Sequence, residues 1–154
     1  MLNFYLPQYH ESGFAYTEGG SIDTANPVNG EYGQVFSFVE PVRTGFVQYR
    51  KLCVRNDGSF VASGVKIWLQ CPDHTGQFTL GHEYVPDQFI GSPLSVPTGV
   101  AFSGFTGYTG GGIGLSLGSL YPAGYTGFWV KQDLGSETTS DFYVVSQVFV
   151  GWLE

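Results

Sequence analysis

The sequence predicts an all-β fold, a sandwich of seven or eight short strands. Its composition favours strands and turns, because Gly 23, Pro 8, Phe 13 and Tyr 10 are residue types that suit turns and pleated sheets rather than helices. Apolar and polar residues alternate with a period of two in several segments, turn residues recur about every ten positions, and no segment has the period of a helix. These observations are typical of a β-sandwich.

The clearest predicted strands are two that surround a turn within residues 49–71. Leu52 and Val54 alternate with polar residues before the turn, and Val65 and Ile67 do so after it. This alternation indicates strands with one buried face and one wet face. The turn has the sequence NDGS, whose residues tolerate positive φ or hydrogen-bond their own backbone.

The only cluster of basic residues, Arg50, Lys51 and Arg55, lies on the first of these strands. Positive charge on an edge strand discourages pairing with other chains, so we expect the solvent face of an edge strand. Nucleic acid is not an expected partner. Asp+Glu 13 against Lys+Arg 6 give a net charge of −7, and affinity for nucleic acid depends on basic groups that displace counterions.

Turn residues separate the other predicted strands. A long loop carries Pro86, Gly91, Pro93 and Pro97 around Phe89 and Ile90, and the turn Tyr121–Gly124 has Pro at its second position, as type I and II turns prefer. The pattern does not distinguish an immunoglobulin-like sandwich from a jelly roll. The further predicted strands are residues 35–39, 77–82, 100–105 and 115–120, and a closing hairpin of 126–132 with 141–152.

Residues 1–34 differ from the sandwich domain, residues 35–154. They have turn residues throughout and little periodicity, but they also contain six aromatic residues, which disordered tails usually lack. The segment is either a loop-rich flap on its own domain or an extended arm on a neighbouring subunit. We favour the arm.

The sequence also bears on location. Cys53 and Cys71 have neighbours that place them on different strand faces, so we expect free thiols and a reducing compartment. Residues 1–11 lack the basic start and apolar run of a signal peptide, and no segment has the ~20 apolar residues of a membrane helix. Charged residues make up only 12%, which fits either a surface covered by partners or one solvated by uncharged polar groups. We expect assembly in a cytosol without a membrane partner.

Catalytic and metal-binding patterns are weak. His10, His74 and His82 lie in different predicted elements, and no nucleophile elbow is present. Asp73–His74 and His82–Glu83 lack the tight spacing of zinc or calcium ligands, and the GGGIG loop is followed by no helix that could bind phosphate. We expect no enzyme activity, no cofactor and no metal. Exposed aromatic side chains such as Trp68 are the remaining candidates for binding, whereas we expect Trp129 to be covered by neighbouring segments.

Two resemblances add to this interpretation. LCVRNDGSFVASGVKIWLQ and LGSLYPAGYTGFWVKQ resemble the hairpin and the penultimate strand of immunoglobulin-like domains of the CARDB and fibronectin type III kind. The order GGSI, YRKLCVRN, GVKIWL, SPLSVPTGVAFS and LSLGSLYPAGYTGFWVKQ is similar to small virion proteins of tailed bacteriophages over residues 19–150. The first resemblance implies an immunoglobulin-like sandwich, and the second implies such a sandwich with an arm that binds a particle surface.

The phage resemblance implies a capsid decoration or cement protein on the outer surface of the virion, assembled in the host cytoplasm. Its partners would be the major capsid protein and further copies of itself, as a dimer or trimer. A tail, baseplate or fibre-adaptor protein is the alternative, and a carbohydrate-binding module is one of another class. The expected partner-binding residues are Phe4, Tyr5, Tyr9, His10, Phe14, Tyr16 and Tyr32 on the arm, and Trp68 and Tyr108 on the sandwich.

Overall fold

The computed structural model describes residues 1–10, 17–28, 36–38, 47–70, 78–92, 94–103, 114–133 and 144–152. Within these ranges there is no helix, and nine strands form two antiparallel sheets. The predicted all-β fold is therefore confirmed. The strands are β1 (Leu2–His10), β2 (Thr17–Pro27), β3 (Phe36–Phe38), β4 (Val47–Asn56), β5 (Ala62–Gln70), β6 (Phe78–His82), β7 (Leu115–Leu120), β8 (Tyr125–Asp133) and β9 (Val144–Trp152).

One apolar core joins the two sheets. The larger sheet has the order β2-β1-β4-β8-β6, and the smaller has the order β3-β9-β5-β7. Leu52 and Val54 of β4 and Phe128 of β8 belong to the same buried cluster as Val65 and Ile67 of β5. Burial of each such side chain stabilises the fold by about 1.5–3 kcal/mol. The alternation in the sequence thus identified the core side of β4 and β5, and the two sheets form a sandwich-like pair.

The connections between strands differ from the prediction. After β2, each successive strand among those described lies in the opposite sheet from the one before it. The predicted hairpin of β4 with β5 and the closing hairpin of β8 with β9 are therefore wrong. An immunoglobulin-like arrangement is not confirmed, since that fold also keeps later consecutive strands, D with E and F with G, within one sheet. A period of two shows which side of a strand is buried, but it does not show which strand lies beside it.

The N-terminal segment contributes two strands to the larger sheet. β1 pairs with β4, with Tyr5 opposite Cys53, and its other edge pairs with β2. The segment was expected to be a loop-rich arm, and the structure differs from this. Its strands were not predicted because several register shifts between β1 and β2 interrupt the alternation that would have revealed them. The division of the chain at residue 34 lies outside the described residues, and contact of this segment with a neighbouring subunit stays a prediction.

β4 is a central strand, so the prediction that its basic residues lie on an edge strand is wrong. It lies between β1 and β8, and Arg50 and Lys51 are buried. Arg55 is partly buried and pairs with Asp57 at 2.6 Å. Alternation with Leu52 suggested a wet face for Lys51, but a loop distant in sequence covers that face.

Two local predictions have different outcomes. The turn Tyr121–Gly124 is confirmed, because Gly124 N donates to Tyr121 O at 2.8 Å and Ala123 has φ 62°, as the third position of a type II turn requires. Of the strand predicted for 100–105, residues 100–103 form only a single bridge, from Ser103 to Leu80. Residues 104–105 lie outside the described part. No helix in the described ranges is long and apolar enough to cross a membrane.

Candidate functional site

A long loop after β6, residues 83–103, covers the outer face of the larger sheet; we call it the covering loop. Its backbone is hydrogen-bonded to three strands, β2, β8 and β6. Gly20 N donates to Gln88 O at 2.9 Å, Ile90 N to Glu18 O at 3.0 Å, and Glu83 N to Gly127 O at 3.1 Å, and Ser103 N donates to Leu80 O at 3.0 Å. The outer faces of β4 and β8 are consequently buried as well as their core faces, and Trp129 has no exposed surface. The expectation that Trp129 is covered is confirmed.

Glycines allow the covering loop to lie directly on the sheet. A Cβ atom at Gly19 would collide with the carbonyl oxygen of Gln88, and one at Gly127 would collide with the side chains of Lys51 and Glu83. Gly19 also has φ 115°, a conformation that favours glycine. Glycine within a strand often marks a close approach of another backbone, and here it marks the contact between sheet and loop.

A buried ion pair joins the covering loop to the sheet. Lys51 Nζ lies 2.6 Å from Glu83 Oε2, and the side chains are 0% and 7% exposed. Lys51 Nζ also donates to Gly20 O at 2.9 Å, and Gly127 N donates to Glu83 Oε1 at 2.8 Å. The ring of Trp129 lies 5.8 Å from Nζ, within the range of a cation–π contact. Both charges are therefore compensated, and the pair connects β4, β2, β8 and the loop.

Cys53 and His82 do not have the environment of catalytic groups. Burial raises the pKa of the Cys53 thiol to about 12, which keeps it protonated and unreactive. His82 Nε2 lies 2.8 Å from Thr126 Oγ1, and burial lowers the pKa of His82. A hydroxyl nucleophile also needs a third group to orient the base, and no described residue does this for His82. No described cluster of His, Cys, Asp or Glu could hold a metal ion.

The covering loop carries five exposed large apolar side chains, those of Tyr84, Val85, Phe89, Leu94 and Val96. Phe89 packs against the exposed Tyr9 of β1 with ring centroids 4.2 Å apart. Exposed large apolar side chains are candidates for an interaction site. We call this surface the loop patch; it comprises Tyr9, Tyr84, Val85, Phe89, Leu94 and Val96.

Two side-chain hydrogen bonds brace part of the loop patch. Gln88 Nε2 donates to Thr98 Oγ1 at 3.0 Å, and Thr98 N donates to Gln88 Oε1 at 2.9 Å. These bonds close the segment that carries Phe89, Leu94 and Val96. A preorganised surface loses little conformational entropy when it binds.

The predicted partner-binding residues have different environments. Tyr9 lies in the loop patch, but Phe4 packs edge-to-face on Phe128 at 5.9 Å, and the buried Tyr5 donates its hydroxyl to Asp57 at 2.7 Å. His10 Nε2 lies 3.0 Å from Asp23 Oδ2. Trp68 is partly buried on β5. Their roles in binding a partner stay predictions, and Phe14, Tyr16, Tyr32 and Tyr108 lie outside the described residues.

The sequence singled out Phe89 as part of a long loop but not the surface that it forms with Tyr9. The available signal was the apolar residues, including Leu94 and Val96, between prolines and glycines of a loop. Comparison with protein-family models, with curated proteins and with solved structures found no match.

Proposed function

We propose that the chain is a non-enzymatic virion structural protein, a capsid decoration or cement protein that binds the outer capsid surface and bridges neighbouring capsid subunits. The observation that carries the proposal is the loop patch, a set of exposed apolar side chains on a loop that hydrogen bonds brace. The resemblance of residues 19–150 to small phage virion proteins supplies the class of partner, the major capsid protein.

The two packed sheets support this role. A particle surface needs a rigid platform for the binding residues, and the covering loop is fixed to the larger sheet by the buried Lys51–Glu83 pair and by backbone hydrogen bonds. We propose that the chain resembles an immunoglobulin-like sandwich in its architecture, two antiparallel sheets over one core. We do not propose that it has the immunoglobulin order of strands.

The first test is the copy number of this chain in purified phage particles, measured by quantitative mass spectrometry against the major capsid protein. We expect a number of copies comparable to that of the capsid protein. A count of only a few copies per particle would instead support the alternative of a tail, baseplate or fibre-adaptor protein. Absence from the particle would overturn both structural roles.

The second test is binding to particles that lack this protein. The variant Leu94→Ser/Val96→Ser removes exposed apolar groups of the loop patch without touching the core, so we expect a stable fold and a loss of binding by about tenfold or more. The matched control is Ser116→Ala at an exposed position of β7 in the smaller sheet. Equal binding by the two variants would contradict a role for the loop patch.

A carbohydrate-binding module is the second candidate function. The exposed pair Tyr9 and Phe89 favours it, because aromatic rings at a surface can stack on sugar rings, and Trp68 was the first candidate for such a role. A glycan array tests it. Binding that Phe89→Ala or Trp68→Ala abolishes would support this function, and an array without signal would count against it.

A further inference from the structure

The connection between β4 and β5 contains a dipeptide that can modify itself chemically. Asp57 is the only aspartate of the sequence that is followed by glycine, here Gly58. Asp57 is exposed and Gly58 is partly exposed, so water reaches both. In such a dipeptide the glycine nitrogen can attack the aspartate carboxyl group, because glycine has no Cβ atom that hinders the required backbone rotation. The reaction needs no enzyme and no cofactor.

The product of this reaction is isoaspartate. In the first step Gly58 N forms a bond to Asp57 Cγ, and the carboxyl hydroxyl leaves as water with the amide proton. The cyclic succinimide that results then adds water at one of its two carbonyl carbons. Addition at Asp57 C breaks the bond from that carbon to Gly58 N, so the main chain now runs through Cγ. The water lost in the first step is regained, and nothing is oxidised or reduced.

The fold keeps the carboxyl group of Asp57 in its unreactive form. Oδ2 accepts hydrogen bonds from Asn3 Nδ2 and from the Tyr5 hydroxyl, each at 2.7 Å, and Oδ1 accepts from Arg55 Nη1 at 2.6 Å. Burial alone would raise the pKa of Asp57, but the bonds from Asn3 and Tyr5 outweigh it. The charges of Arg55 and of the Met1 amino group act in the same direction, so the pKa is lowered. The carboxylate is a poor electrophile, because its charge repels a nucleophile and it has no hydroxyl to lose.

The attacking nitrogen is held by the fold as well. Gly58 N donates to Asn56 Oδ1 at 2.9 Å, and Asp57 N donates to Met1 O at 2.8 Å. The Asn56 side chain is buried, and its Nδ2 donates to Phe60 O at 2.7 Å. The amides on both sides of Asp57 are consequently fixed. Gly58 N can turn towards Asp57 Cγ only after its bond to Asn56 breaks.

We propose that Asp57–Gly58 is a site of isoaspartate formation that the folded turn keeps closed and that opens when the turn loses its hydrogen bonds. Isoaspartate adds one carbon to the main chain of the β4–β5 connection and moves the carboxylate away from Asn3 and Tyr5. A modified copy therefore cannot re-form the same contacts. The site marks copies of the chain that have opened, and it hinders their return to the native turn. The inference does not depend on the proposed capsid role.

The test is the rate of isoaspartate formation in the purified full chain, incubated in a mildly acidic buffer and measured by peptide mapping, which separates isoaspartate from aspartate. We expect the rate at Asp57 to be at least about tenfold lower in the folded chain than in guanidinium chloride, because the attack requires local opening. Asn56→Ala releases Gly58 N and should raise the rate in the folded chain by about tenfold or more. Asn3→Ala removes one donor to Asp57 and should raise it by less.

The matched control is Lys51→Met, which destabilises the fold at the covering loop but leaves the hydrogen bonds of the turn intact. It should keep the wild-type rate at a temperature where thermal unfolding shows that each variant is folded. Equal rates in the folded and the unfolded wild type would overturn the proposal. An increase in Lys51→Met as large as that in Asn56→Ala would also overturn it, because global unfolding would then open the site. If Asn56→Ala does not fold, an unchanged rate in Asn3→Ala is the result that overturns it.

Discussion

The Asn56 end of the sandwich is the region where Asn56 Nδ2 donates to Phe60 O and Leu120 O. This end and the covering loop are both held in place by a polar contact, but the chemistry of the contact differs. Each holds distant segments together through one buried polar side chain, and each of these side chains lies on β4. Asn56 is 1% exposed and neutral, and its side-chain oxygen also accepts from Gly58 N at 2.9 Å. Lys51 is fully buried and charged, and it depends on Glu83. The amide contact needs only geometry, whereas the ion pair also needs both charges.

This difference determines how much stability the fold loses when the buried polar side chain of each region is removed. Removal of an amide leaves neutral groups without partners, which costs about 1–3 kcal/mol for each group. Removal of one member of a buried ion pair leaves a buried charge, which costs more. The covering loop, and with it the loop patch, is therefore the more vulnerable region.

The largest expected effect is at the ion pair. Lys51→Met leaves the Glu83 carboxylate buried without its counter-charge, and we expect the free energy of unfolding to fall by about 3–5 kcal/mol. The double variant Lys51→Met/Glu83→Gln removes both charges, and its free energy of unfolding should fall by clearly less than that of Lys51→Met. Urea unfolding measures both values.

The control for this prediction is Lys131→Met, which changes a lysine on the neighbouring strand β8 that is only partly buried. We expect a change within about 0.5 kcal/mol, as for surface substitutions. A double variant as unstable as Lys51→Met would contradict the prediction, because the destabilisation would then not come from an uncompensated charge.

A smaller effect is expected at the Asn56 end. Asn56→Ala removes the hydrogen bonds to Phe60 O, Leu120 O and Gly58 N, and we expect a loss of about 2–4 kcal/mol. Asn26→Ala, on an exposed asparagine of β2, is the matched control and should have little effect. Chemical denaturation at neutral pH distinguishes them, and equal stability of the two variants would rule out a clamp at Asn56.

The smallest expected effect is on the loss of stability at acidic pH. Burial alone would raise the pKa of Asp57, but hydrogen bonds from Asn3 and Tyr5 and the charge of Arg55 outweigh it, so its pKa is lowered. A carboxyl with a lower pKa in the folded state stabilises the fold at pH above about 4, and the contribution is lost as the pH falls through the lowered folded pKa. As the pH falls below about 4, Asp57→Asn should therefore lose less free energy of unfolding than the wild type does.

Unfolding free energies measured from neutral pH into that acid range check this. Asn3→Ala provides a second variant, because it removes one donor to Asp57 and should move the acid-dependent loss to higher pH. If Asp57→Asn kept the wild-type pH dependence throughout, the assignment of the acid response to the Asn56 end would be wrong.

Part of the fold was predictable from local patterns. Leu52 with Val54, and Val65 with Ile67, were assigned to buried faces from alternation. Pro122 predicted a type I or II turn at 121–124, and the φ of Ala123 in the structure makes it type II. The strands β1 and β2 were missed because their bulged pairing breaks the period of two. The buried state of Lys51 was missed because its partner, Glu83, lies on another strand's loop.

The candidate site was less predictable than the fold. Tyr9 was predicted to bind a partner and lies in the loop patch, whereas Tyr84, Leu94 and Val96 were not singled out, since an apolar residue in a loop has no periodicity that shows whether it is covered. Exposure depends on what the rest of the chain places above a residue.

By itself the sequence determined the all-β class, the core-facing residues of β4 and β5 and the chemistry of the turns, because these depend on neighbours along the chain. The tertiary structure alone decided that β4 and β5 lie in different sheets, that Lys51 is buried against Glu83, and that Tyr9 packs against Phe89 at the surface. These features depend on contacts between residues far apart in sequence, and strand alternation carries no information about which distant segment supplies the contact.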